Sequence, residues 1–307
     1  MTANTVLITG ANGFIGHYLS MLYAAKGWDV IGIGQEEYPE KEWRKFGLKQ
    51  WILSDVSIDS LKVIEDNIDL IVHCAGSASV PLSVSDPYLD YQSNVRTTLE
   101  VLEYVRTCSP YTKIVLPSSV AVHGEVKQLP IMETDPLKPI SPYGVHKKIA
   151  EDLCLSYARN FSLSVSIVRL FSVYGPGLRR QILWDACNKA NKHDDSAFYG
   201  TGNETRDFIH VEDAAELLYL TGEYAVPDGL IVNGGTGVST AIGDLISEIY
   251  LTMNYEVKPD FSMKVKVGDP VHYQADISRA RSLGWTPKRD IHQGIRDYVN
   301  WFRELNL

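Results

Sequence analysis

Apolar positions along the first part of the chain alternate between short runs and helical stripes. Val6, Leu7 and Ile8 form a run suited to a strand buried on both faces. Phe14, Ile15, Tyr18, Leu19, Leu22 and Tyr23 then recur at helical spacing, and Gly27 closes that helix. A second run, Val30 to Ile33, completes a strand–helix–strand unit. Further runs follow: "WILSDV" ending at Asp55, "DLIVHCAG" ending at Ala75 and Gly76, and "KIVLPSSVAVHG" reaching Ser118 and Ser119. Strands alternating with helices predict an α/β chain with a doubly wound parallel sheet.

Two helical stretches carry more apolar surface than one buried face needs. Residues 88–107 read as a single helix with Tyr91, Val95, Thr98, Leu102 and Val105 on one stripe, and Leu99 and Val101 away from it. A helix opened by Pro142 carries Ala150, Cys154, Tyr157 and Phe161, with Ile149 and Leu153 beside that stripe. A helix on a sheet buries one face, so the surplus predicts a homodimer whose two-fold axis pairs both helices with their mates.

The turn after the first strand, "TGANGFIG", spaces its glycines as GxxGxxG: Gly10, Gly13 and Gly16. In a Rossmann-type unit such glycines give a tight turn, close approach of a pyrophosphate and close packing of helix on strand. The helix start, with Phe14 and Ile15, offers free N–H groups and a favourable dipole to phosphates. The expected cofactor walls are Asp55 and Val56 toward the adenine, and Cys74, Ala75 and Gly76, where a backbone can approach. The ribose-binding acid of such units falls about twenty residues on, where this chain has Gly34, followed by Gln35, Glu36 and Glu37. No arginine stands there for a 2′-phosphate, so NAD is expected, with Glu36 as a substitute acid and NADP kept as the alternative.

Composition narrows the partners. The chain has 307 residues, 45% hydrophobic and 22% charged, as in ordinary globular proteins. A net charge of −9 without a basic stripe argues against nucleic-acid and anionic-membrane partners. Cys74, Cys108, Cys154 and Cys187 lie far apart without CxxC pairing, which predicts reduced thiols in a cytoplasmic protein. The eight histidines are scattered and predict no metal site, and "MTANTVLITG" reads as neither a signal peptide nor a membrane span.

The stretch "SPYGVHKK" places Tyr143 and Lys147 four apart, directly after Pro142. That spacing alone suits a plain helix start. Taken with TGANGFIG, HCAG, SSVAVHG, "RLFSVYGPGLR", "YGTGNETRDFIHVEDAAELL", "VNGGTG" and "ADISRARSLGWTPKRDIHQGIRDYVNWF" in this order, it resembles the extended short-chain dehydrogenase/reductase superfamily. More narrowly, the chain resembles the NAD-dependent epimerase/dehydratase family acting on nucleotide sugars, over nearly its full length. The resemblance implies that Tyr143 is the acid/base, that Lys147 also holds the nicotinamide ribose, and that Ser119 hydrogen-bonds the reacting hydroxyl or ketone. A free phenol titrates near ~10, and a neighbouring ammonium favours its ionised form.

The residues after Ser119 discriminate among reactions. Family dehydratases place an Asp-Glu pair there, whereas this chain has Val120 and Ala121, which transfer no protons. The pattern is closer to that of 4-epimerases, with His123 in place of the usual tyrosine. Hydride transfer at C4 of a nucleotide-diphosphate sugar by a 4-epimerase is the first reading. A 4-keto-sugar reductase, which uses the same three residues, is the second, and a non-catalytic dinucleotide sensor the third. For the substrate the resemblance implies Arg206 at the diphosphate, Asp269 near the nucleotide ribose, and Ser118, Ser119 and His123 toward the sugar. Ser172 stands where the family has asparagine, and Lys266 where an arginine is common. Phe198 and Tyr199 are candidates to flank the base. The expected division is a mainly Rossmann domain, residues 1–171, and a smaller mixed C-terminal substrate-binding part, residues 172–307, with 204–229, and as a further option the C-terminal helices, packing back on the first.

Overall fold

The opening strand–helix–strand pattern forms β1 (Thr5–Thr9), α1 (Phe14–Ala25) and β2 (Asp29–Gly34). All five residues of β1 are buried, as a strand covered on both faces requires. The computed structural model describes residues 3–264 and 272–305. The later strands are β3 (Gln50–Leu53), β4 (Leu70–His73), β5 (Lys113–Ser119), β6 (Val165–Leu170), β7 (Ser172–Tyr174), β8 (Thr205–Arg206), β9 (Phe208–His210), β10 (Leu230–Gly234) and β11 (Thr240–Ala241). The chain divides into two compact units.

The first unit comprises Met1–Gly124, Pro136–Leu170 and Ala215–Val232. Its seven-stranded sheet has the order β10-β6-β5-β4-β1-β2-β3. The ladders from β6 through β3 are all parallel. The order reverses direction between β1 and β4, the switch point at which open α/β sheets bind ligands beyond the carboxyl ends of their strands. Thr9 and His73 are register partners there, so the glycine turn and the segment after β4 emerge side by side.

Two helices cover the β5–β6 region: α2 (Thr97–Cys108) and α3 (Pro142–Phe161). Val101, Leu102 and Val105 join Ala150, Cys154 and Ala158 in one core cluster with Ile114, Leu116 and Ile167. Ser141 caps α3, its Oγ accepting from the Gly144 N–H at 3.1 Å, with Pro142 in the first turn. Residues 88–107 depart from the single helix expected. A short helix at Pro87–Tyr91 passes through a π-helical turn at Gln92–Arg96 into α2. The wider turn takes up an extra residue and shifts the helical phase. Tyr91, expected on the buried stripe but lying before that turn, is 43% exposed. Val101, expected off the stripe, is 1% exposed because it lies three residues after Thr98 and four before Val105 and so shares their face, while Leu99 stays 39% exposed.

The second unit comprises Glu125–Asp135, Phe171–Ala214 and Asn233–Leu307. It is mixed: β7 pairs with β9 in parallel and β8 with β11 antiparallel. Around these lie α4 (Gln181–Lys192), α5 (Ile242–Thr252) and α6 (Ile291–Leu305). Asp207, fully buried beside Arg206, accepts from Thr236 N and Oγ1, Gly237 N and Ala275 N, so one carboxylate gathers three chain segments. Among the described residues no helix is long and apolar enough to cross a membrane.

Candidate active site

The glycine turn fits a dinucleotide diphosphate. Gly10 has φ +64°, and a Cβ there would sit 2.9 Å from Ala75 N. Only glycine takes that conformation against that neighbour without strain. Gly13 is exposed, and a Cβ on it would meet only Gly10 O, at 3.1 Å, so its outer side faces open space. As N-cap of α1 it offers no side-chain cap, which leaves first-turn N–H groups for a ligand. Gly16 has the packing role, since a Cβ there would lie 2.4 Å from Gly10 O and 2.8 Å from Ala11 Cα. Phe14 and Ile15 stay half-buried at the helix start.

At Gly34, where the sequence lacks the expected acid, the structure shows why no side chain stands. A Cβ on Gly34 would meet the Trp51 ring at 2.6 Å and Asn12 Oδ1 at 2.8 Å, so no side chain fits. Glu36 is the nearby carboxylate tied to the glycine turn, accepting from Asn12 Nδ2 at 3.3 Å. Asp55 accepts from Arg96 Nη2 at 2.5 Å, Gln35 Nε2 at 2.9 Å and Val56 N at 2.8 Å. Partial burial pushes its pKa up, yet these donors outweigh that and hold it below the usual carboxylate value. Val56 is buried, and Gly76 is exposed beyond β4.

Ser119 closes β5, and its Oγ accepts from the Ala121 N–H at 3.2 Å, starting a 3₁₀ turn at Val120–Val122. Tyr143 and Lys147 lie one turn apart on one face of α3, 8% and 9% exposed. The Lys147 ammonium donates to the Pro117 carbonyl at 3.0 Å, which fastens α3 to the end of β5. Burial lowers the Lys147 pKa, while the charges of Asp90 and Glu151 oppose that shift. Cys74 adds no negative charge at neutral pH, because burial pushes its thiol up to about 12. Asp90 is fully buried, held by His146 Nδ1 at 2.6 Å and Asn94 Nδ2 at 3.2 Å. His73, beside this group, bonds Thr9 Oγ1 at 2.8 Å, and burial drives its pKa down to about 3.

The model of the NAD dependent epimerase/dehydratase family matches residues 6–234. The chain belongs to that family. A putative UDP-glucose 4-epimerase of Methanocaldococcus jannaschii is 30% identical over 313 residues, covering 98% of this chain and 99% of that one. Among solved structures, MoeE5 in complex with UDP-glucose and NAD aligns with TM-score 0.89 at 28% identity, over 99% of this chain and 100% of that one. UDP-glucose 4-epimerase of Thermotoga maritima with UDP-glucose aligns with TM-score 0.88 at 26% identity, over 99% and 100%. This family member is thus an NAD-dependent enzyme of the extended short-chain dehydrogenase/reductase type, and the cradle of Gly10, Gly13 and Gly16 fits that cofactor.

The expected substrate residues differ in exposure and partners. Ser118 and His123, expected toward the sugar, are placed in the interior at 4% and 1% exposure. Ser118 Oγ donates to Glu151 Oε1 at 2.5 Å, and His123 Nε2 lies 3.3 Å from Arg169 Nη1. In the second unit, Ser172 N donates to Asp207 O at 2.9 Å. Arg206 Nη1 donates to Thr205 O at 2.9 Å, and its guanidinium lies over the Tyr273 ring at 5.7 Å. Phe198 is buried in that unit's core while Tyr199 is 58% exposed. Lys266 and Asp269 lie outside the described residues. The buried charges Glu151 and Arg169 escaped the sequence reading. Their signal was present: a glutamate one turn beyond Lys147, and an arginine inside the apolar run "VSIVRL".

Proposed function

We propose that the chain is a UDP-sugar 4-epimerase with Ser119, Tyr143 and Lys147 as its catalytic residues. The observation that carries this is the buried pair Tyr143 and Lys147, one turn apart, with Lys147 fastened at Pro117 beside Ser119. In this reading Tyr143 accepts the proton of the C4 hydroxyl and later returns it. The Lys147 ammonium, one turn along the same helix face, favours the phenolate by the attraction of opposite charges. Ser119 accepts from Ala121 N, and its own hydroxyl proton is available to donate to the sugar oxygen. NAD, when bound, supplies reversible hydride chemistry at C4. Val120 and Ala121 provide no acid–base pair, which favours epimerisation over dehydration.

Finer assignments follow from the same reading. Glu36 takes the adenosine ribose hydroxyls in place of the acid that Gly34 lacks, which favours NAD over NADP. Arg206 contacts the substrate diphosphate, with Ser172, Lys266 and Asp269 toward the nucleotide sugar. The enzyme works as a homodimer: Tyr91, Leu99, Val145 and Ile149 leave apolar surface exposed on the helices expected to pair, at 43%, 39%, 40% and 37%. Four unpaired thiols favour a reducing compartment, the cytoplasm.

The test is to incubate the purified protein with UDP-glucose, UDP-galactose and their glucuronate counterparts, following products by NMR. The expected result is the same mixture of C4 epimers from either starting sugar, without net consumption of NAD. Stoichiometric oxidation of added NADH or NADPH with a 4-keto sugar would replace this reading by the reductase. Absence of any turnover would remove it.

A further inference from the structure

One buried ion pair, Glu151 with Arg169, is bonded to the residue before Ser119 and shares the helix of Tyr143 and Lys147. Glu151, on α3 one turn beyond Lys147, is 1% exposed, and Arg169 in β6 is 2% exposed. Glu151 Oε2 accepts from Arg169 Nη2 at 2.8 Å, and Oε1 from Arg169 Nε at 3.1 Å. The same Oε1 takes the Ser118 hydroxyl at 2.5 Å. Arg169 also reaches His123 Nε2 at 3.3 Å. A guanidinium only donates, so His123 Nε2 is the acceptor in this contact. Ser118 and Arg169 are register partners in β5 and β6.

We propose that Glu151 is a positioning residue that sets Ser119 against Tyr143 and Lys147. This rests on the catalytic reading of those three residues. Ser119 is bracketed: Ser118 precedes it, His123 follows the 3₁₀ turn, and both are tied to the Glu151–Arg169 pair. Tyr143 and Lys147 belong to the helix that carries Glu151. A single carboxylate thereby joins the strand arm of the site to its helix arm. Stability alone does not call for this arrangement, because apolar residues of similar size commonly replace buried ion pairs without loss. What apolar side chains lack is direction. Hydrogen bonds to two strands fix where the helix sits over them, and a displacement of 1 Å at such a site costs about a hundredfold in rate.

The test is the charge-free double variant Glu151→Leu with Arg169→Met, which leaves no buried charge unpaired. The protein is expected to fold and bind NAD and UDP as before. Its kcat on UDP-glucose should fall by about tenfold or more, with KM nearly unchanged. Hydrogen exchange should accelerate at the amides of Ala121 and His123, which bond Ser119 Oγ and Val120 O. A folded double variant with wild-type kcat and wild-type protection at those amides overturns the proposal. Should the double variant fail to fold, Ser118→Ala keeps the ion pair and severs only the strand arm. It should lower kcat severalfold and loosen Ala121, and wild-type values for both overturn the proposal. A wild-type chain that turns over no UDP-sugar overturns the substrate reading instead, and amide protection then decides the positioning role by itself.

Discussion

The Lys147 ammonium donates to the Pro117 carbonyl at 3.0 Å, two residues before Ser119. A buried cation is thus held by a neutral dipole, with the carboxylates of Asp90 and Glu151 supporting its charge. Such a charge is costly for the fold, and in the proposed mechanism it favours the Tyr143 phenolate. Lys147→Met should keep the fold, since an unbranched apolar chain replaces a desolvated ammonium. It should lower kcat by about a hundredfold or more. The sign of the pH effect follows from the lowered pKa. Below it the folded state carries the buried charge at a cost, and that cost fades as pH rises through it toward the unfolded value near ~10.4. Wild type should therefore gain stability relative to Lys147→Met with rising pH in denaturant titrations. A constant difference would mean that Lys147 is not desolvated.

Tyr143 offers the complementary test. Its ring is 8% exposed at the start of α3, so Phe preserves the packing and removes only the hydroxyl. Tyr143→Phe should bind NAD normally and turn over UDP-sugar at least about a hundredfold more slowly, the scale of general acid/base catalysis. Near-normal turnover would assign the proton transfer to another group.

What could be read in advance follows from which forces act locally. The central strands of the first unit were legible because they are apolar runs buried on both faces, as at Val6 to Ile8 and Val30 to Ile33, whereas the edge strand β3 is only half-buried. The glycine turn was legible because its spacing is tied to a strand and a helix at once. The π turn at Gln92–Arg96 was not, because hydrogen-bond register leaves no mark on apolar periodicity, and Tyr91, expected on the buried stripe, is exposed as a result. Ser118 was a candidate ligand group because it neighbours Ser119, while a lone histidine at the place of His123 is more often structural than ligand-binding. Their true partners, Glu151 and Arg169, lie 33 and 46 residues away along the chain, a pairing visible only once β5, β6 and α3 come together. The missing acid at Gly34 was seen, but its cause, the Trp51 ring, required the β2–β3 register.

The glycine turn separates binding from folding. Gly13→Val adds bulk on the open side of the turn and should weaken NAD binding by tenfold or more, about 1.4 kcal/mol, with little change in melting temperature. Gly16→Ala forces a methyl to 2.4 Å from Gly10 O and should lower stability first, by about 1–3 kcal/mol. Calorimetry and thermal melts read the two effects. Equal losses of stability in both variants would refute the division.

His73 sets an acid limit on the fold. Its pKa is pushed down by burial to about 3, whereas the unfolded chain titrates near the ordinary value of 6.5. Between those values the unfolded state binds the extra proton. Stability should fall as pH drops through that window, by up to roughly 1.4 kcal/mol for each pH unit. His73→Asn removes the titrating ring and should flatten this part of the stability–pH curve, even if its stability at pH 7 is lower. An unchanged slope would show that His73 is not the responsible group.

The last prediction concerns cofactor choice. No side chain fits at Gly34, because the Trp51 ring and Asn12 Oδ1 occupy the place where a Cβ would go. In the proposed reading the acid function comes from further along the loop. Glu36 is held to the glycine turn by Asn12 at 3.3 Å, and Glu37 adds a second negative charge next to it. Arg96 does not offset them freely, because it pairs with Asp55 at 2.5 Å. A 2′-phosphate carries about −2 charge and would be repelled by exposed carboxylates a few ångströms away, by about 1 kcal/mol or more even in water. Glu36→Arg removes the ribose acceptor and supplies a bidentate phosphate donor. It should weaken NAD binding and strengthen NADP binding, moving their affinity ratio by about a hundredfold in total. Titration calorimetry with each dinucleotide, without any sugar present, measures that ratio directly. An unchanged ratio would mean that another group takes the ribose hydroxyls.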